Sequence, residues 1–227
     1  MKLFILFLLL PFSLWGMQIG EVRAVKGIVK LKTTTSIKKI NIFKGYVVKN
    51  GDMLITSKDA FAKIRMKDNS LIILDKNSII HFLSLSEIKQ ESGKIYYHIT
   101  SKKVKNSLHV KTNFAIIGIK GTVFIVKADR NKEILLQKGL VGISSIKEEF
   151  KLYKKRVNKE FNRFKASQNN EFERYKNSHY EKARMTKSFD LHNRNKVQFD
   201  GDQVREDSFG IDDVKEFKYF EQLINEI

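Results

Sequence analysis

Turn-forming clusters recur at short intervals between Ile19 and Ser145, and they limit what this chain can fold into. "KNGD" (49–52), "KDNS" (67–70), "DKNS" (75–78), "ESGK" (91–94), "ADRNK" (128–132) and "KGLVG" (138–142) all contain residues that accept positive φ or hydrogen-bond their own backbone. Between them apolar and polar residues alternate, as in "IVKLK" (28–32) and "AKIRM" (62–66). That is the period of a half-buried strand, and the helix template does not fit it. The expectation is an all-β domain over 17–145, built of many short strands in a barrel, sandwich or solenoid-like stack. The single proline, Pro11, lies before this region and interrupts no strand.

The most apolar part of the region, "TNFAIIGIKGTVFIV" (112–126), holds Gly118, Lys120 and Gly121 at its centre. Two readings fit. Either the glycines allow tight turns between buried strands, with Lys120 extending to the surface and Thr122 satisfying a turn amide, or the segment is a ligand or partner loop. The first is favoured. In the second, Lys120 and Thr122 make the contact.

From Ile146 to Lys187 there is no Gly or Pro, and a motif recurs every 11 residues: "EFKLYK" (149–154), "EFNRFK" (160–165) and "EFERYK" (171–176). Eleven residues in three turns keep one stripe on one side of a nearly straight helix. A long amphipathic helix is therefore expected over 146–187, with an aromatic stripe that includes Phe150, Phe161, Phe164 and Phe172. Such a stripe packs on its own β domain or on the C-terminal helix, pairs with a second copy, or docks on another envelope protein or an anionic membrane surface. The remaining residues, 188–227, are acidic, with ten Asp or Glu against five Lys or Arg. They end in "IDDVKEFKYFEQLINEI" (211–227), an amphipathic helix with Asp212 and Asp213 in its first turn. Residues 17–146 carry 24 basic and 9 acidic residues, so the tail is able to fold back onto them.

The first 16 residues, "MKLFILFLLLPFSLWG", have one lysine and then an apolar core too short to span a bilayer. They read as a signal peptide, with a mature start near Met17. No later segment is long and apolar enough to cross a membrane. The expected location is the periplasm, in an exported form without a transmembrane span. The formal charge of +18 comes mostly from scattered lysines, and export counts against a nucleic-acid partner. The chain has no cysteine, so no disulfide or thiol chemistry is involved.

No catalytic constellation emerges. The histidines, at 81, 98, 109, 179 and 192, are scattered and form no i, i+4 pair. There is no G-x-S-x-G elbow, and "GIKG" lacks the length and ending of a phosphate loop. "DGDQVRED" (200–207) lacks the alternate ligands and closing glutamate of a calcium loop. The expectation is no enzyme, no metal and no cofactor.

Five stretches in order resemble the FecR-like domain family of bacterial envelope proteins: "GEVRAVKGIVKLK" (20–32); the segment 43–80, with Gly45, Gly51-Asp52, Thr56, Asp68-Asn69-Ser70 and Leu74; "ESGKIYY" (91–97); the 112–126 stretch; and "LLQKGLVGIS" (135–144). Asn113 stands where the family often has proline, Lys120 replaces its usual arginine, and Asn69 a usual glycine. Lys lacks the bidentate fork of Arg, which weakens a ligand role for Lys120. The resemblance implies a non-catalytic sensing or binding module of the envelope, with the β domain as scaffold and the helix as partner-facing arm. Here it looks like a free-standing exported version that needs a second, membrane-spanning protein to signal. The alternatives are a self-assembling structural component of the envelope and an envelope enzyme acting on glycans.

Overall fold

The computed structural model describes residues 17–34, 36, 38–100, 107–154 and 183–225. In chain order the first strands are β1 (Gln18–Lys26), β2 (Val29–Lys32), β3 (Ile40–Asn41), β4 (Val47–Lys49), β5 (Met53–Thr56), β6 (Phe61–Met66), β7 (Leu71–Leu74), β8 (Ile79–Phe82), β9 (Glu87–Ser92) and β10 (Lys94–His98). There follow β11 (Leu108–Lys111), β12 (Ile116–Ile119), β13 (Val123–Lys127), β14 (Lys132–Lys138), β15 (Leu140–Ser144), β16 (Phe150–Lys154), β17 (Arg184–Thr186), β18 (Ser188–His192), β19 (Asn195–Asp200) and β20 (Gln203–Ser208). One helix, α1 (Ile211–Asn225), closes the described chain.

The strands form two open sheets, not a closed barrel. One has eleven strands in the order β17-β16-β20-β19-β14-β13-β10-β7-β6-β1-β4; the other has nine, β18-β15-β12-β11-β9-β8-β5-β2-β3. The chain passes back and forth between them. The inward residues of both sheets, among them Ile64, Phe82, Tyr97, Ile117, Phe124 and Ile143, make one buried core. Each such side chain stabilises the fold by roughly 1.5–3 kcal/mol relative to exposure. One polar network crosses this core. Tyr97 Oη donates to Gln90 Oε1 at 2.9 Å, and Gln90 Nε2 donates to the carbonyls of Gly93 and Val126 at 3.0 and 3.1 Å. Burial raises the Tyr97 phenol well above its ordinary pKa, so it stays a donor.

Family-like turn residues fasten the crossings between sheets. Thr56 Oγ1 donates to the Asp75 carbonyl at 2.6 Å and accepts from Ser78 N at 2.8 Å. Asp52 accepts from Tyr46 Oη at 3.0 Å and Lys49 N at 2.8 Å. Asn69 has φ of 64°, a conformation asparagine tolerates where glycine is otherwise usual. Gly93 (φ +82°) and Gly139 (φ +99°) sit where crossings stack. A Cβ on Gly93 would lie 2.4 Å from Ser78 Cα, and one on Gly139 would lie 2.7 Å from Thr122 Cγ2 and 2.9 Å from the Gly121 carbonyl.

Two expectations are corrected. The described start of the expected helix, residues 146–154, is not helical: Phe150–Lys154 forms β16, antiparallel to β17 and parallel to β20. In "FKLYK" Phe150 and Leu152 point inward with period two, and sheet pairing overrides the 11-residue period here. The rest of the repeat, 155–182, lies outside the described residues, as does 1–16. The region 188–208 is not a separate tail but strands β18 to β20 of the same two sheets. "FDGDQV" is the tip of the β19–β20 hairpin, with Gly201 at φ 59°.

Helix α1 lies on the outer face of the eleven-stranded sheet. Phe217, Phe220 and Leu223 pack on Ala24, Phe61, Ile73, Tyr96, Ile125 and Leu135 in a second buried cluster. Tyr96 stacks on Phe220 with centroids 5.4 Å apart. The charges match as well. Asp213 accepts from Gly210 N at 2.6 Å and pairs with Lys196 at 2.9 Å, while Glu216 pairs with Lys127 at 2.8 Å. At the other end Lys63 Nζ donates to the Ile224 carbonyl at 2.9 Å, which suits the negative end of the helix dipole. The acidic C-terminal segment does fold back onto the basic β surface.

Candidate binding surface

The 112–126 stretch divides between the sheets. Gly118 is not in a turn. It lies within β12, in the nine-stranded sheet, while Lys120 and Gly121 (φ +62°) make the crossing to β13 in the other sheet. Lys120 is exposed. Thr122 is 1% exposed, and its Oγ1 has no hydrogen-bond partner among the described residues, so it does not cap a turn amide or meet a partner. Its methyl group packs beneath Gly139, and its carbonyl accepts from Ile99 N at 2.9 Å.

Phe150 is a further correction. It is 3% exposed and contacts Phe189 and Phe199 edge-on between the sheets, so it belongs to the core and not to a partner-facing stripe. An inward position in an alternating strand removes it from any surface. Phe161, Phe164 and Phe172 lie outside the described residues. Of the described pair, Lys120 is exposed and Phe150 lies in the core, so these two share no surface.

What it does bring together is a row across four strands of the nine-stranded sheet. His109 of β11 faces Gly118 of β12, Gly118 faces Gly142 of β15, and Gly142 faces Asp190 of β18. Alternation turns all four outward, because Val110, Ile117, Val141, Ile143 and Leu191 turn inward. Three strand spacings separate His109 from Asp190, about 14 Å. The floor between them has no side chains. Ile116 and Ser144 flank it on one side, Leu140 and His192 on the other, and Lys120 follows Ile119 at the end of β12.

These two glycines differ from those at the crossings. Neither has positive φ, and an added Cβ would meet nothing nearer than 3.8 Å at Gly118 or 3.7 Å at Gly142. Backbone geometry and packing both permit a side chain there. Glycine within a strand costs roughly 0.5–1 kcal/mol relative to alanine, and it commonly marks a place where a ligand or another backbone comes close. No element among the described residues lies over this face, whereas α1 covers the opposite one. Sequence reading singled out Gly118 and Lys120 but missed His109, Gly142 and Asp190. The available signal was the outward register of "IIGI" and "LVGIS", each with a glycine between inward aliphatics.

Among the described residues no group of His, Cys, Asp or Glu is disposed to hold a metal. His81 Nε2 lies 3.1 Å from the Gly51 carbonyl, a structural contact, and His98, His109 and His192 are exposed and apart.

His109, Gly118 and Gly142 lie inside a recognisable domain, and Asp190 lies beyond it. Residues 52–142 match the family described as FecR protein, and the chain carries a FecR-like domain from β5 into β15. Two crystal structures of a candidate anti-sigma factor from Parabacteroides distasonis ATCC 8503 are similar, with TM-scores of 0.49 and 0.48 and sequence identities of 9% and 11%. Each similarity covers 72% of this chain and 62% of that one, so this chain spans less than two thirds of their length. Among curated proteins none matches it.

Proposed function

We propose that the chain is a non-catalytic binding or sensing module of the cell envelope, exported by its N-terminal leader, which engages a protein partner on the outer face of the nine-stranded sheet. The observation that carries this reading is the Gly118–Gly142 pair, for which fold and packing give no reason. A flat backbone floor between an imidazole and a carboxylate admits an approaching main chain or loop, and Leu140 and Ile116 supply apolar contact beside it. The FecR-like domain supports a regulatory, non-enzymatic role. The test is to block the floor with Gly142→Trp and to probe it with a photo-crosslinker at Lys120 in cells. A partner adduct that forms in the parent chain and disappears in the blocked chain supports the reading. An adduct indifferent to the block contradicts it.

Self-association is the second reading. It draws on β18, which ends the nine-stranded sheet and, among the described residues, pairs with β15 alone. An open edge is a template for another copy. Sedimentation across a concentration series separates the two, since the partner reading predicts a monomer.

A further inference from the structure

In the eleven-stranded sheet, a cavity of about 330 Å³ lies where the β13–β14 turn meets the β19–β20 hairpin. Arg130 and Asn131 line it from the turn, and Gln198, Asp200, Gln203 and Arg205 from the hairpin. The register sets the hairpin residues out in pairs. Gln198 faces Arg205, and Asp200 faces Gln203. Residues directly opposite on neighbouring strands have Cβ atoms about 4.5–5.5 Å apart. Each pair therefore holds an acceptor beside a donor: the Gln198 carbonyl beside a guanidinium, and the Asp200 carboxylate beside the Gln203 amide.

One of these groups is fixed in direction. Gln198 Nε2 donates to Glu133 Oε1, and Glu133, 8% exposed, is itself held by Lys127 at 2.8 Å. This leaves Gln198 Oε1 as the end that meets a ligand. Among the described residues the side chains of Asp200, Gln203 and Arg205 have no hydrogen-bond or ion-pair partner. Glu133 is matched by Lys127, so Asp200 is the one acid of the described lining left to face Arg130, Lys132 and Arg205. A bare anion would meet the Asp200 carboxylate among its donors, and an apolar ligand would strand them all.

We infer that this cavity binds a saccharide that carries a carboxylate. A sugar hydroxyl donates and accepts at once, so neighbouring hydroxyls use a donor and an acceptor held side by side. The carboxylate answers the cations of the turn, where Arg130 offers a planar fork. The volume is at the small end of ligand sites and suits one or two sugar rings. The site is independent of the glycine floor, because it lies in the other sheet.

Calorimetry tests this by titrating the purified chain with glucuronate, glucose and acetate at constant ionic strength. Gln203→Ala/Arg205→Ala removes the donor of each pair. Lys30→Ala, the control, removes one positive charge from the outer face of the other sheet. Saturable binding of glucuronate is expected, at least about fivefold tighter than glucose or acetate, weakened about tenfold in the double variant and less than about twofold in the control. Asp200→Ala is the sharper variant. Loss of an acid tightens a bare anion but loosens a sugar that uses it as an acceptor, so weaker glucuronate binding is expected and tighter binding overturns the proposal. Acetate that binds as tightly as glucuronate would reveal charge attraction alone, and glucose that does so would show that the carboxylate is not recognised. Either result overturns the proposal, as do equal weakening in the double variant and the control, and the absence of saturable binding. Melting curves of the variants, expected to match the parent, exclude misfolding as the cause.

Discussion

Glycine has two meanings in this chain, and substitution separates them. At Gly139 an alanine would adopt φ near +99° and press on Thr122 and the Gly121 carbonyl. The expected loss is about 2 kcal/mol or more in urea unfolding, from left-handed backbone strain plus the contact. At Gly118 or Gly142 the same change is expected to leave stability unchanged or to raise it by up to about 1 kcal/mol, as for alanine replacing glycine in an unstrained strand. A loss of more than about 1 kcal/mol at either position would show that backbone demand explains them and would remove the argument for a binding floor. Gly121, at the crossing from β12 to β13, shares the positive φ of Gly139. The sequence made much of this legible: Thr56, Asp52 and Asn69 sit in turns because their side chains or φ preferences act locally. Thr122 and Phe150 were not legible. Their burial depends on which sheet a neighbour joins, and that is a non-local fact.

The placement of α1 rests on both apolar and charged contacts. Phe220 is fully buried against Tyr96, so Phe220→Ala is expected to cost about 3–5 kcal/mol and to release the helix, measured by loss of far-ultraviolet helical signal on melting. Burial tends to pull the Lys127 ammonium down, but hydrogen bonds and charges from Glu133 and Glu216 outweigh it and raise its pKa above the ordinary 10.5. A raised lysine stabilises the folded state fully below the unfolded pKa and loses that contribution as pH climbs through the folded one. Stability should therefore fall as pH rises above about 10.5, and Lys127→Met should remove that part of the fall. A pH profile of the melting temperature checks it. The terminal helix was readable from its 3.6-residue pattern and its early Asp212 and Asp213. Residues 150–154 were misread because "FKLYK" satisfies a two-residue and an eleven-residue period alike. The tie was broken by pairing with β17 and β20, one from beyond the repeat and the other more than 50 positions away.

Over the whole molecule the two sheets have unequal outer faces. One carries α1, with its acidic residues matched to Lys127 and Lys196; on the other, no element among the described residues covers His109, Gly118, Gly142 and Asp190. The asymmetry could not be read in advance because no sequence signal says which face a terminal helix will cover. The most direct measurement is in-cell photo-crosslinking from Lys120, beside the glycine floor, compared with Lys215 on the exposed side of α1. The account predicts a discrete partner adduct from Lys120 that Gly142→Trp abolishes, and none from Lys215. An adduct from Lys215 alone, or one from Lys120 that survives the tryptophan, would contradict it.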